Sequence, residues 1–580
     1  MVMPMTTLPA WTALAAALIP LVVAALVVLP ATRSRAVRLA SLAGLPALAA
    51  AAFVPDGVSE LPLLVTGVTV ALDPVARAFL ALSALVWTAA ALYGAAAPAR
   101  PAAGPRFRVF FMLAMAGSLG LTVTVDPAGF YTLFALMALP TYALVAAGRG
   151  QHARRAGRVY MAFTVLGEAL LVCGLFITGA VAFGLALPGW AVPAGTTLLL
   201  AAFGIKIGAV GLHGWMPVAY TAAPPAAAAA LAGAMSKAGI LGLIRFLPGG
   251  EPDAVVFGGA VMAFGVAAAF FGAFVGVMQT EPKTVLAYSS ISQLGLITIG
   301  IGTGLAVPEV WPVAVIAATA YAVHHGLAKA ALFLGEDVAN RATNRTPVLV
   351  GLALPAVALA GLPLTSGAVA KIALKEATGL APGFWHNALE ILLPLAAIGT
   401  TMLMARFLFL VAARPSRPAE AGRARAHSFI AVAAWVLLLG AVAATLWLWP
   451  AEEVRYAAAK SLTTHYLWLA TWPVLVGAAI SGVVWFLGPG TVRLVGAIPP
   501  ADVFAPIFAR AHRFVERRDA DAAATPATPA APPADVRAGS AVSALLVRVG
   551  AVESGVLAWA TATSAIGALT VLLLVLAARG

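Results

Sequence analysis

Runs of about 20 apolar residues, separated by short loops, recur along nearly the whole chain. We place roughly sixteen, near 7–30, 36–54, 75–98, 108–125, 128–147, 159–184, 195–215, 225–247, 254–278, 284–304, 310–335, 348–374, 388–412, 428–450, 465–487 and 555–578. Each is long enough for a helix to cross a bilayer. The pattern therefore predicts an all-α polytopic membrane protein. Composition agrees: of 580 residues, 62% are hydrophobic and 10% charged, and the mean hydropathy is +0.98. A soluble protein of this size has too little polar surface to cover such a sequence.

The polar positions that interrupt this pattern are the informative ones. The block Gly204–Arg245 places Lys206, His213 and Lys237 within apolar segments, with Pro217, Pro224 and Pro225 between the first two and the third. A lysine at bilayer depth costs on the order of 3 kcal/mol even on the mildest scale. Prolines between such charges predict a helix broken where it lines a polar cavity. The break is expected at HGWMP (213–217), and a second at GLPLTSG (361–367). Two interrupted segments in comparable positions suggest two structural repeats, 108–247 and 254–412. Residues 1–107 then supply N-terminal helices, and 413–580 a C-terminal extension. Together these features describe a proton or cation path.

The net charge of +13 changes the picture only as a topology signal. Basic residues gather in alternate loops: Arg33, Arg35 and Arg38; Arg100, Arg106 and Arg108; Arg149, Arg154, Arg155 and Arg158; Arg414, Arg417, Arg423 and Arg425. Intervening loops carry Asp56 and Glu60, Asp126, or Glu309. The positive-inside rule then puts both termini outside a bacterial plasma membrane, with no reason to invoke nucleic acid. No basic residue precedes the first apolar run, so that run is expected to be a retained span rather than a cleaved leader.

In the C-terminal part, Val503–Arg518 mixes Phe504, Ile507, Phe508 and Phe514 with four arginines. It reads as an amphipathic surface helix or, equally, as a basic flank. Ala and Pro dominate 519–538, a linker. The single cysteine, Cys173, is expected to pack as a small apolar residue. With no CxxC pair, no metal-ligand spacing and no nucleotide loop, no cofactor or metal is expected in this chain.

Gly204–Arg245, LAYSSISQLG (286–295), HHGLAKAALFL (324–334) and GLPLTSGAVAK (361–371), in that order, resemble the proton-conducting antiporter-like subunits of respiratory complex I, Mrp-type Na+/H+ antiporters and group 4 membrane-bound hydrogenases. The resemblance covers roughly residues 65–412. It implies about fourteen core helices, with two inverted five-helix repeats and a broken helix in each. By position, Lys206 matches the lysine of the first broken helix, Lys237 that of the next helix and Lys371 the charge after the second break. His324, His325 and Lys329 match the central polar stretch. His213 and His324 have a plainer reading as helix-bridging hydrogen bonders, and Lys283 and Lys375 one as snorkelling interface lysines.

Two positions depart from the family. Its fifth helix usually carries a glutamate, where this chain has Ala135. Tyr220 stands where a histidine is common. One span later lies Glu168, a candidate partner for Lys206 or Lys237, or else bonded to a backbone break or an arginine.

The leading expectation is a proton-translocating or cation/proton-antiporting subunit of a respiratory, hydrogenase or Mrp-type complex, working with other membrane subunits on H+, with Na+ as a candidate second ion. The chain shows no redox or nucleotide motif of its own, so any driving reaction belongs to partner subunits. The alternatives are a proton-coupled subunit of inorganic-carbon uptake, and a non-conducting membrane scaffold.

Overall fold

The computed structural model describes residues 8–64, 67–96, 104–148, 150–182, 188–414 and 429–486. The segment 503–518, the linker 519–538, the span expected at 555–578, and Arg100, Arg149, Arg417, Arg423 and Arg425 lie outside them. Every element below belongs to one compact unit, Met1–Leu61 with Gly67–Pro500.

The chain opens with helices α1 (Trp11–Val28), α2 (Arg33–Leu39) and α3 (Leu45–Phe53), followed by strands β1 (Gly57–Leu61) and β2 (Val68–Leu72). Helices α4 (Pro74–Ala96), α5 (Pro105–Gly120), α6 (Pro127–Ala146) and α7 (Gly150–Ala182) follow. Next come α8 (Ala191–Ile207), α9 (Trp215–Ala222), α10 (Pro225–Ala230) and α11 (Lys237–Phe246). The second half holds α12 (Val255–Val277), α13 (Pro282–Ala306), α14 (Trp311–Arg341), α15 (Thr346–Ala360), α16 (Ser366–Thr378) and α17 (Phe384–Ala413). It ends with α18 (Phe429–Ala444), α19 (Glu452–Lys460) and α20 (Thr464–Phe486).

Among the described residues, 11 helical stretches are long and apolar enough to cross a membrane, with α8, α15 and α18 as shorter apolar helices. The span expected at 36–54 is divided into α2, a single 3-10 turn and α3. The antiparallel pair β1–β2 departs from an all-helical chain. Its outer edge is used: the Ala71 N–H donates to Val123 O (2.9 Å) and the Val125 N–H to Thr69 O (3.0 Å). Asp126 closes the corner, accepting from the Thr69 N–H (2.9 Å) and, as N-cap of α6, from the Gly129 N–H (2.6 Å).

Burial orders the helices from centre to rim. The apolar window of α13 is 100% buried and that of α10–α11 94%, against 28% for α7 and 17% for α20. Helices α12 and α13 approach almost to backbone contact. A Cβ at Gly265 would stand 2.7 Å from Gly295 O, and one at Gly272 2.6 Å from Tyr288 O. Small residues at this seven-residue spacing let apolar helices gain close packing where lipid offers no hydrophobic drive. Cys173 lies on the exposed face of α7 rather than in the packed interior. Arg414 is tied to Glu281 and to Glu336 (2.8 Å for the latter), so part of the basic loop after α17 is neutralised within the fold.

Candidate proton path

The first break begins earlier than HGWMP predicts, at Gly208. Helix α8 stops because Gly208 adopts φ 73°, which only glycine takes without strain, and the Ala209 N–H turns back to Gly204 O at 2.8 Å. The next carbonyl, Ile205 O, accepts from the Gly208 N–H at 3.2 Å and from Trp215 Nε1 at 2.7 Å. Lys206, in the last turn of α8, is buried with its ammonium 5.1 Å from the centre of the Phe134 ring. Glu168 on α7 lines the same cavity of about 20 Å³, with Tyr160, Thr164 and Trp215. That volume suffices for one water. The charges attract across it without closing to a salt bridge, and neither Glu168 oxygen has a hydrogen-bond partner. Of the two lysines left open for Glu168, the geometry selects Lys206. His213 lies past the break, its ring 4.8 Å from that of Phe271 and 6.4 Å from that of Tyr288. It faces α12 and α13, away from that cavity.

Between α10 and α11 the helix widens into a π turn, Leu231–Met235, and the Ser236 N–H bonds Leu231 O at 3.1 Å. The bulge loosens the carbonyls of this turn from regular α-helical pairing. Lys237 Nζ donates to Ala232 O and, at 3.2 Å, to Ser236 Oγ, while the Tyr220 hydroxyl donates to Leu231 O at 3.3 Å. Tyr220, Lys237, His325 and Lys329 are all fully buried. Lys237 acts electrostatically on both His325 and Lys329 of α14. Lys329 Nζ donates to Leu286 O of α13 at 2.9 Å. Neither ring nitrogen of His325 has a hydrogen-bond partner. A fully buried imidazole left so needs a water or a transient proton to justify it.

The second break falls where GLPLTSG predicts it. Gly361 takes φ 89°, and the Leu362 N–H reaches back to Val357 O at 3.0 Å. Lys371 on α16 donates from Nζ to Ala360 O at 2.6 Å, the last carbonyl of α15. Both breaks thus hold an ammonium at the carbonyl end of a half-helix, where the helix dipole is negative. His324 Nδ1 bonds the Ser366 hydroxyl at 2.9 Å, and Lys371 acts on His324 electrostatically. Lys371 also lines a cavity of about 90 Å³ with Tyr321, Lys375 and Tyr466. The Tyr321 hydroxyl donates to Gln293 Oε1 at 2.8 Å, and Gln293 Nε2 to Thr400 Oγ1 at 2.9 Å.

Residues 125–385 match the family of NADH:quinone oxidoreductase/Mrp antiporter transmembrane subunits. Over that stretch the chain is similar to this antiporter-like family. It is 32% identical over 295 residues to NAD(P)H-quinone oxidoreductase chain 4 2 of Microcystis aeruginosa, covering 48% of this chain and 52% of that one. To an Na(+)/H(+) antiporter protein of Alkalihalophilus pseudofirmus it is 28% identical over 300 residues, 46% of this chain and 58% of that one. It thus spans little more than half the length of either relative. The solved Mrp complex of Dietzia sp. DQ12-45-1b has a chain of the same fold, with TM-score 0.70 and 24% identity over 93% of this chain and 62% of that one.

The acidic side chain beside Lys206 comes from α7, not from the helix that the resemblance implies. Ala135 sits beside Phe134 and one turn before Ala138, which border the Lys206 cavity, but it is not among the cavity-lining residues and brings no charge. Glu168 enters from α7 instead. Lys283 donates to Ala223 O at 3.1 Å. Lys375, expected near an interface, lines the second cavity. The sequence does not single out Tyr321, Gln293, Tyr466 or Glu376. Tyrosine and glutamine carry no charge to betray them in an apolar span, and α20 lies outside the family match.

Proposed function

We propose that this antiporter-like chain translocates protons as one subunit of a multisubunit membrane complex. The observation that carries this reading is a series of ionisable side chains in otherwise apolar helices: Glu168 and Lys206, Lys237, His325 and Lys329, then His324, all buried, and the half-buried Lys371. So many costly groups at depth are retained only for use, which disfavours a non-conducting scaffold. Protons pass between them through intervening water. Each lysine accepts a proton as its neighbour releases one, since adjacent ammonium groups repel. Glu168 favours the charged form of Lys206 at the entry end. The relatives named above support membrane partners that supply the driving reaction or the exchanged cation. Both termini face the outside of a bacterial plasma membrane, and the two broken-helix segments belong to the two inverted repeats.

The test is proton flux in vesicles carrying the assembled complex. Lys237→Ala, at a fully buried position in an alanine-rich helix, is expected to abolish flux while leaving the complex assembled. Near-normal flux in that variant would overturn the central-lysine route.

A further inference from the structure

Helices α19 and α20 lie beyond the family match, yet α20 closes the cavity that begins at Lys371. Four α20 residues, Tyr466, Leu469, Ala470 and Pro473, form one wall of it. Pro473 has no N–H, so Leu469 O, one turn earlier on the same wall, loses its i+4 helical donor. With about 90 Å³, the cavity has room for several waters. At its α20 wall the Tyr466 hydroxyl donates to Glu376 Oε1 at 2.7 Å, and Lys460 Nζ of α19 donates to Glu376 Oε2 at 2.8 Å. Glu376 stands five positions after Lys371 on α16, about 7.5 Å further along the axis. Its side chain is 32% exposed, whereas Lys371 is held at Ala360 O in the break. A polar route thus runs from a half-buried ammonium, along a cavity with room for water, to a half-exposed carboxylate.

We propose that α19 and α20 complete the terminal proton half-channel of this subunit, with cavity water, the Tyr466 hydroxyl and the Glu376 carboxylate as successive carriers. This rests on the proton-translocating reading above. In each transfer Lys371 gives one ammonium proton to cavity water and becomes neutral. The water chain passes a proton to Tyr466 as its hydroxyl proton moves to Glu376. The protonated Glu376 then releases it to the aqueous phase. No electron moves, and every group returns to its starting form once Lys371 is reloaded from His324 or the preceding lysines. Lys460 keeps Glu376 ionised between transfers, and so ready to accept.

Two measurements on the full chain in its complex test this. First, in a Cys173→Ser background, Ala470→Cys should react with a charged, membrane-impermeant thiol reagent, and its modification should stop proton flux. Leu475→Cys, on the exposed face of α20, should not react. An unreactive Ala470→Cys, or modification that leaves flux intact, would refute the half-channel. Second, Tyr466→Phe keeps the ring and its packing but removes the hydroxyl, and should lower flux about tenfold or more with assembly unchanged. Lys237→Ala measured alongside separates the two ideas. If it abolishes flux while Tyr466→Phe conducts normally, the α20 route fails and the translocation reading stands. If both conduct normally, both fail.

Discussion

Glu168 faces Lys206 across a cavity of about 20 Å³, from α7 rather than from the helix where its family usually carries the carboxylate. Both its oxygens lack a hydrogen-bond partner, so its charge is left to act on the lysine. Glu168→Gln removes the charge and keeps the shape. Flux in vesicles should fall about tenfold, equivalent to about 1.4 kcal/mol in the barrier. Ala135→Glu in the same chain should restore part of it, because position 135 flanks Phe134 and Ala138, which border this cavity, and a glutamate side chain is long enough to reach toward it. In the otherwise native chain Ala135→Glu should slow flux, since two carboxylates hold the lysine proton too firmly. Unchanged flux in Glu168→Gln would leave Lys206 working without an acidic partner.

The π turn beside Lys237 is pressed against α14 at Gly326, one residue after His325. A Cβ there would overlap Gly233 O, a backbone atom with nowhere to go. Gly326→Ala should therefore destabilise the subunit by about 1–3 kcal/mol and spread the two helices. A lowered melting temperature in detergent would record this. An unshifted temperature would mean that the contact is slack.

Much of the path is legible in the sequence because the membrane makes it so. Every lysine buried in an apolar span is conspicuous, and the glycine and proline clusters at 208–217 and 361–367 mark where helices must stop. What escapes is geometry that hydropathy does not encode. The choice of Lys206 over Lys237 as partner of Glu168 depends on helix rotation. The π turn has no sequence signature in a run of alanines. The pairing of β1–β2 with residues 123–125 hides in a short loop between spans. Lys375 reads as a snorkelling residue because sequence position cannot tell an interface from a cavity wall.

Orientation follows from which exposed positions water-borne reagents reach. Arg154 and Glu309 are both exposed, Arg154 near the start of α7 and Glu309 just before α14. In a Cys173→Ser background, Glu309→Cys should be labelled on intact cells. Arg154→Cys should be labelled only after the membrane is opened. The reverse pattern would invert the topology, and labelling of both on intact cells would break it.

Asp73, just ahead of α4, accepts from Arg245 at the end of α11 through both oxygens, at 2.6 and 2.8 Å. This clamps the second helix of the lysine path to an N-terminal helix outside the family match. Burial pushes the Asp73 carboxyl up, but its hydrogen bond and charge attraction to Arg245, with the Ala76 and Val75 N–H groups, outweigh burial and hold it below the ordinary value. A carboxyl whose pKa is depressed on folding contributes stability that is complete above its unfolded value, near 4. That contribution is lost as pH falls through the lower, folded value. Asp73→Asn should thus lower the melting temperature at neutral pH, by the equivalent of about 1 kcal/mol for a solvent-screened pair. The difference from the native chain should shrink as pH drops below about 4. A difference that stayed constant down to pH values of about 3 would show that Asp73 acts by shape alone.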